Sequence, residues 1–221
     1  MPQGEDPEFA LIESLLYERG YQRLERHLAR LAAAAGELGF GFSEARLLNL
    51  LEGQALQLAE HDGVRYKVRL LLERDGMAWI SAERLAGKPV QARVMIAADT
   101  VDSADALSRF KTTRRELFDG YGRELQRQSL YDVLFLNERS ELTEASRSNV
   151  FVEFAGELLT PPLSAGVLPG VYRGLVLEQD PRAREGSLGL ADLERADAVY
   201  LCNSVRGWQQ VELLPGRLRL E

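Results

Sequence analysis

The stretch "ADTVDSADAL", residues 98–107, is short and polar, and it separates two parts of the chain that differ in character. Polar clusters of this kind between periodic segments mark connections. The reading is a small N-terminal α/β domain at 1–98, a linker at 99–107 and a larger C-terminal domain at 108–221.

On the N-terminal side, "FALIESLLY" (9–17) is an apolar run whose length suits a buried strand. In "YQRLERHLARLAAAAGELGFGF" (21–42), Leu24, Leu28, Leu31, Ala35 and Leu38 follow alternating steps of four and three, which predicts an amphipathic helix. Arg23, Arg26 and Arg30 lie off that stripe. A second helix is predicted over "SEARLLNLLEGQALQLAEHDG" (43–63), with Ser43 as N-cap and Asp62 and Gly63 at its exit. The period then changes to two. "VRYKVRLLLERDGMAWISAE" (64–83) puts Tyr66, Val68, Leu70 and Leu72 on one face and reads as a hairpin, and "PVQARVMIA" (89–97) adds a strand.

On the C-terminal side the order is a helix over 111–128, a strand in "YDVLFLNE", a polar loop and a hairpin in "NVFVEFAGELLTPP". A Gly/Pro loop "SAGVLPG", a helix from Val171, a strand "AVYLCNS" and terminal strands follow. The mixture predicts two α+β domains with a site between them.

The bulk properties exclude several function classes. A net charge of -7 and no long basic tract disfavour nucleic acid as a partner. One cysteine, Cys202, rules out an intrachain disulfide framework, and one cysteine with two histidines argues against a zinc site. The segment "MPQGEDPEFALIESLLYERG" has acids before a short apolar run, and no stretch reaches membrane-span length. The expectation is a cytoplasmic protein with no membrane or metal partner.

Three features carry possible chemistry. In "RFKTTRRELFDG" (109–120), Lys111 sits near Arg114 and Arg115, cations that would lower an amine's pKa; from this segment alone, it reads as a helix-surface lysine in preference to a chemical group. In "ELTEASRSNVFVEF" (141–154), Glu144 stands at the mouth of a strand, where a rigid carboxylate could keep a pyridine-type nitrogen protonated, or could simply cap a turn. In "PPLSAGVLPGVYRG" (161–174), Gly166 and Gly170 allow close backbone approach before a helix whose N-terminal end suits a phosphate. "CNSVRG" (202–207) offers Ser204 and Arg206 as further anion ligands. His27 reads as a packed or capping histidine, and Cys202 as a buried small side chain.

Taken in order, "ERHLARL", "KTTRRELFDG", "LTEASRSNVFVE", "LLTPPLSAGVLPGVYRG" and "ADAVYLCNSVRG" resemble the fold-type IV pyridoxal-phosphate enzymes, the class IV aminotransferase family. The resemblance covers nearly the whole chain. It implies a D-amino-acid-aminotransferase-like fold, with a small α/β domain and a larger mixed barrel-like domain with helices. Within the family, "FKTTRRELFDGY" and "FALIESLLYERG" are most similar to 4-amino-4-deoxychorismate lyase, in particular to the lyase-like domain fused to aminodeoxychorismate synthase.

Carried onto this chain, the resemblance makes Lys111 the lysine that holds pyridoxal 5'-phosphate and Glu144 the partner of its ring nitrogen. It makes Arg30, the amides of Val171 and Tyr172, and the Ser204 hydroxyl the phosphate ligands. Transaminases of the family often carry a tyrosine five residues after the lysine; here that residue is Glu116. The implied reaction is elimination of pyruvate from 4-amino-4-deoxychorismate to give 4-aminobenzoate, in folate biosynthesis. The alternatives are a transaminase of D-amino or branched-chain acids and a non-catalytic binding protein that keeps the fold. Two substrate carboxylates call for arginines, and Arg69, Arg147 and Arg206 are the candidates, Arg69 first because it alternates with apolar residues on a strand. A homodimer and a functional link to aminodeoxychorismate synthase are also implied.

Overall fold

The computed structural model describes residues 9–59, 63–87 and 89–220. By contacts, the chain divides into two units, one of Met1–Ala86 with Phe110–Arg114 and one of Gly87–Arg109 with Arg115–Glu221.

The first unit is a three-stranded antiparallel sheet, order β1-β2-β3, carrying two helices. Strand β1 is Leu11–Tyr17, β2 is Tyr66–Leu72 and β3 is Ala78–Arg84; helices α1 (Leu24–Leu38) and α2 (Glu44–Leu58) lie between β1 and β2 in sequence. Alternation of side chains along a strand puts Leu11, Glu13, Leu15 and Tyr17 on one face of β1. They pair with Leu72, Leu70, Val68 and Tyr66 of β2 in register. Val68, Leu70 and Leu72 are buried, as the period-two pattern predicts. Helix α1 packs against β1 and buries Leu28, Leu31 and Ala35 of the expected stripe together with His27 and Ala34, while Leu24 and Leu38, at its two ends, are only partly buried. Ser43 is at the N-cap of α2 but makes no side-chain capping bond. The expected exit of α2 at Asp62 lies outside the described residues, while Gly63 has φ 75°.

The segment around Lys111 departs from the expected helix. Thr112 bridges Leu11 in antiparallel fashion, the Ile12 amide donates to the Lys111 carbonyl at 2.8 Å, and the Thr113 amide donates to the Ala10 carbonyl at 2.9 Å. Residues 111–113 therefore line the outer edge of β1. Thr112 and Thr113 are β-branched, so they favour extended backbone, and an edge strand offers unpaired backbone groups to receive them. Helix begins only at α3 (Glu116–Gly120), followed by α4 (Gly122–Arg127).

The second unit begins earlier than the 99–107 linker. Strand β4 (Arg93–Val101) pairs in parallel with β5 (Asp132–Asn137) and with β11 (Gly207–Leu218), so it belongs with the C-terminal sheet. Beyond β5 come β6 (Leu142–Ala145), β7 (Asn149–Phe154), β8 (Glu157–Thr160), α5 (Val171–Gln179), β9 (Ala183–Glu185), α6 (Leu190–Arg195) and β10 (Ala198–Asn203). The sheet runs β10-β11-β4-β5-β6-β7-β8-β9, and an added β10–β7 pairing closes β4, β5, β6, β7, β10 and β11 into a barrel. Closure leaves those six strands without an open edge. The expected terminal strands are one long strand, β11, with a register shift between Leu213 and Arg217.

Alternation explains the packing. Val94, Ile96, Leu134, Leu136, Val150, Val152 and Leu201 share one cluster with Leu188 and Leu193. Their neighbours Val133 and Phe135 pack instead with Tyr121 and Leu125 of the α3–α4 segment. Phe151 and Cys202 pack under α5 with Tyr172 and Val176. Burial pushes the Cys202 thiol up to about 12, so it serves as a small core side chain.

Candidate functional site

In the first unit, β1 organises two of the expected site residues from adjacent positions. Ile12 fixes Lys111 through the 2.8 Å backbone bond, and Glu13 holds Arg30. The Glu13 carboxylate is buried, and Arg30 spans it as a fork, Nε to Oε1 at 2.8 Å and Nη2 to Oε2 at 2.7 Å. His27 Nδ1 lies 2.6 Å from the same Oε2. Burial by itself would raise the Glu13 pKa, but the Arg30 charge and the bonds from His27 and Arg30 outweigh it and hold the carboxyl at about 2. Arg30 is thus no solvated cation; its side chain is 17% exposed. Sequence reasoning did not single out Glu13, yet the signal was there: a carboxylate inside a run expected to be buried must have a partner. Arg69 lies on β2 between Ser14 and Ser81, on the sheet face opposite Glu13.

In the second unit, Glu144 lies half-buried near the end of β6 and pairs with Asn149, the first residue of β7. The Asn149 side-chain amide donates to Glu144 Oε2 at 3.2 Å and to the Leu168 carbonyl at 2.9 Å, while the Leu168 amide donates to Glu144 Oε1 at 3.3 Å. The Gly/Pro loop is thereby bracketed to the carboxylate. Gly170, the N-cap of α5, sits so close to Asn149 that an added Cβ would lie 1.9 Å from its Oδ1. Helix α5 starts at Val171 as predicted, and the amides of its first turn have no intrahelical acceptors, which with the helix dipole makes an anion-favouring end.

Ser204 follows β10 in a tight turn, and its neighbours Val205 and Arg206 donate their amides to Asn203 Oδ1 at 3.0 and 2.8 Å. The turn ends at Gly207, with φ 69°. A Cβ there would stand 3.8 Å from the Tyr172 hydroxyl, so the Ser204 turn adjoins the start of α5. Ser204 itself is buried. Glu144, the α5 amides and Ser204 accordingly form one neighbourhood, knit by Asn149, Leu168 and Tyr172.

A second cluster gathers arginines. Arg147 is exposed, donates to the Tyr131 carbonyl at 2.8 Å and lies 4.0 Å from Asp132 Oδ2. Burial raises the Tyr131 pKa, the Arg206 and Arg147 charges oppose that rise, and the Asp132 charge adds to it. Buried Asp132 accepts from the Val133 amide, the Ser146 amide and the Ser146 hydroxyl. Burial also raises its pKa, against the Arg147 charge and these bonds. Arg115 donates to the Ser146 carbonyl and stacks over Phe118, whereas Arg114 is exposed. Tyr131 and Asp132 were not foreseen as neighbours of the site, because their contacts join residues distant in sequence.

The sequence matches the model of the amino-transferase class IV family over residues 10–214. The chain belongs to the class IV aminotransferase family. A structure of an amino-acid aminotransferase, provisionally so named, from Mesorhizobium loti is 33% identical with a TM-score of 0.85, covering 94% of this chain and 100% of that one. A provisionally named aminodeoxychorismate lyase from Schizosaccharomyces pombe is 26% identical over 202 residues, 89% of this chain and 86% of its own. A hypothetical aminotransferase from Mycobacterium tuberculosis, in a form with pyridoxal phosphate bound, shares the fold at 21% identity and a TM-score of 0.83, covering 100% of this chain and 88% of that one. The fold is therefore that of fold type IV, and the family is one of pyridoxal-phosphate-dependent lyases and aminotransferases. Among the described residues no helix is long and apolar enough to cross a membrane.

The residues present suit that cofactor. A phosphate needs an anion-favouring helix end and a hydroxyl, both found at α5 and Ser204. A pyridine nitrogen needs a fixed carboxylate, found at Glu144 in the second unit; in the first unit, Lys111 carries an amine of the kind an aldehyde needs.

Proposed function

We propose that this class IV protein is a pyridoxal-phosphate-dependent 4-amino-4-deoxychorismate lyase. The observation that carries the cofactor assignment is the bracket of Glu144, Asn149 and Leu168, which ties a carboxylate to the loop that starts α5. Lys111, Arg30, Glu144, the amides of Val171 and Tyr172, and Ser204 would hold the cofactor. When bound, pyridoxal phosphate supplies an aldehyde for the substrate amine and a pyridinium ring that takes up an electron pair.

The protein's own groups do the rest. Lys111 Nζ takes the proton from the substrate carbon that bears nitrogen, then returns a proton as the enolpyruvyl ether leaves as pyruvate. Glu144 keeps the ring nitrogen protonated, so the pair has somewhere to go. Loss of the ether makes the product ring aromatic, which drives the elimination. Arg147 and Arg206, whose charges both act on Tyr131, are the proposed receptors for substrate carboxylate, with Arg69 a further candidate.

The lyase branch is supported by "KTTRRE", with Glu116 where transaminases often have tyrosine, and by the likeness to the S. pombe protein. Aminotransferase activity is the second reading, favoured by the 33% identity to the M. loti protein. Supplying aminodeoxychorismate in one assay, and an amino donor with 2-oxoglutarate in another, separates them. Pyruvate with 4-aminobenzoate supports the lyase. A homodimer and a link to aminodeoxychorismate synthase complete the proposal, and sedimentation and co-purification test them.

A further inference from the structure

We propose that Glu13 and His27 are positioning residues for phosphate recognition, acting through Arg30. The inference rests on the cofactor assignment above and adds two residues to it. A guanidinium is planar and offers donors along two edges, so a carboxylate that grips one edge fixes where the other can point. Glu13 takes the edge formed by Nε and Nη2, at 2.8 and 2.7 Å. The grip is itself held, since Glu13 sits on β1, in register with Leu70 of the neighbouring strand, and cannot swing as a loop residue could. The adjacent residue, Ile12, fixes the Lys111 backbone, so a single strand sets the anchor points of both Arg30 and Lys111.

His27 completes the arrangement. It is one turn of α1 before Arg30 and is 1% exposed, with Nδ1 2.6 Å from Glu13 Oε2. Its Nε2 is buried with no hydrogen-bond partner among the described residues. A histidine kept in such surroundings is placed for what Nδ1 does, which is to fix the carboxylate that fixes Arg30. A purely apolar side chain would fill the same space without leaving a buried polar atom unpartnered. The dyad orders a long, flexible side chain before an anion arrives, and preorganisation of that kind strengthens binding by removing an ordering cost.

The test compares pyridoxal 5'-phosphate with pyridoxal, which lacks the phosphate, on the full chain freed of ligand, scoring affinity by borohydride fixation at Lys111. Thermal unfolding is followed in parallel. The wild type should favour the phosphorylated form strongly. Glu13→Gln, which keeps the shape but offers one acceptor in place of two, should cut that preference roughly tenfold with pyridoxal affinity unchanged. His27→Ala should cut it by a smaller factor, and His27→Asn, whose amide can donate where Nδ1 does, should restore it. If Arg30→Ala abolishes the preference while the Glu13 and His27 variants retain it, the cofactor assignment stands and the dyad proposal is overturned. Equal loss of both affinities alongside a lowered unfolding temperature would show a merely structural role and would also overturn it. A wild type with no preference for the phosphorylated form would overturn the cofactor assignment and the dyad together.

Discussion

The Glu13 carboxyl titrates at about 2 in the folded protein against 4.5 ordinarily. A depressed pKa contributes stability that is fully present above about pH 4.5 and is lost as pH falls toward 2. The shift corresponds to about 3 kcal/mol. Urea unfolding between pH 6 and 2.5 should therefore show Glu13→Gln losing less stability on acidification than the wild type; parallel curves would contradict the role of Glu13. Lys111 makes its structural bond through its backbone carbonyl, at 2.8 Å from the Ile12 amide. Lys111→Ala should accordingly change stability by under about 1 kcal/mol while abolishing borohydride fixation of pyridoxal phosphate. Mass spectrometry of the reduced protein reads the second effect.

At the scale of elements, the start of α5 is the most constrained feature. Gly170 has φ -66°, which any residue can adopt, so it is space and not backbone conformation that requires glycine. Gly170→Ala would push Asn149 off the Leu168 carbonyl and Glu144 together. A cost of about 2–4 kcal/mol is expected, the sum of overpacking and a lost buried hydrogen bond, and a midpoint of urea unfolding unchanged from wild type would contradict the bracket. The helix start at Val171 was legible from Gly/Pro punctuation, because such signals are local. The extended run 111–113 was not. Lysine and arginines suggested a helix, whereas the two threonines met a vacant strand edge contributed by residues about a hundred positions earlier. Only tertiary pairing decides such a case. The Glu13–Arg30 fork was half legible: the sequence marks Arg30 in "HLARL" and an acid within an apolar run, but the register that joins them appears only in the folded sheet.

Over the whole molecule, fold class and order of elements were readable because period-two and helical patterns are strong over most of the chain. Closure of the barrel was not, since the β10–β7 pairing and the parallel β4–β11 pairing join segments far apart in sequence. The same long-range pairing moves β4 into the second unit and displaces the division from 99–107 to Ala86. Family membership fixes cofactor chemistry, while the choice between elimination and amino transfer rests on a few side chains at a site, for which Glu116, Arg147 and Arg206 are proposed. The most direct measurement is incubation of the protein loaded with pyridoxal phosphate with 4-amino-4-deoxychorismate. Pyruvate and 4-aminobenzoate are expected in equal amounts, and both are lost in Lys111→Ala. Absence of both products, with glutamate formed from 2-oxoglutarate and an amino donor, would contradict it.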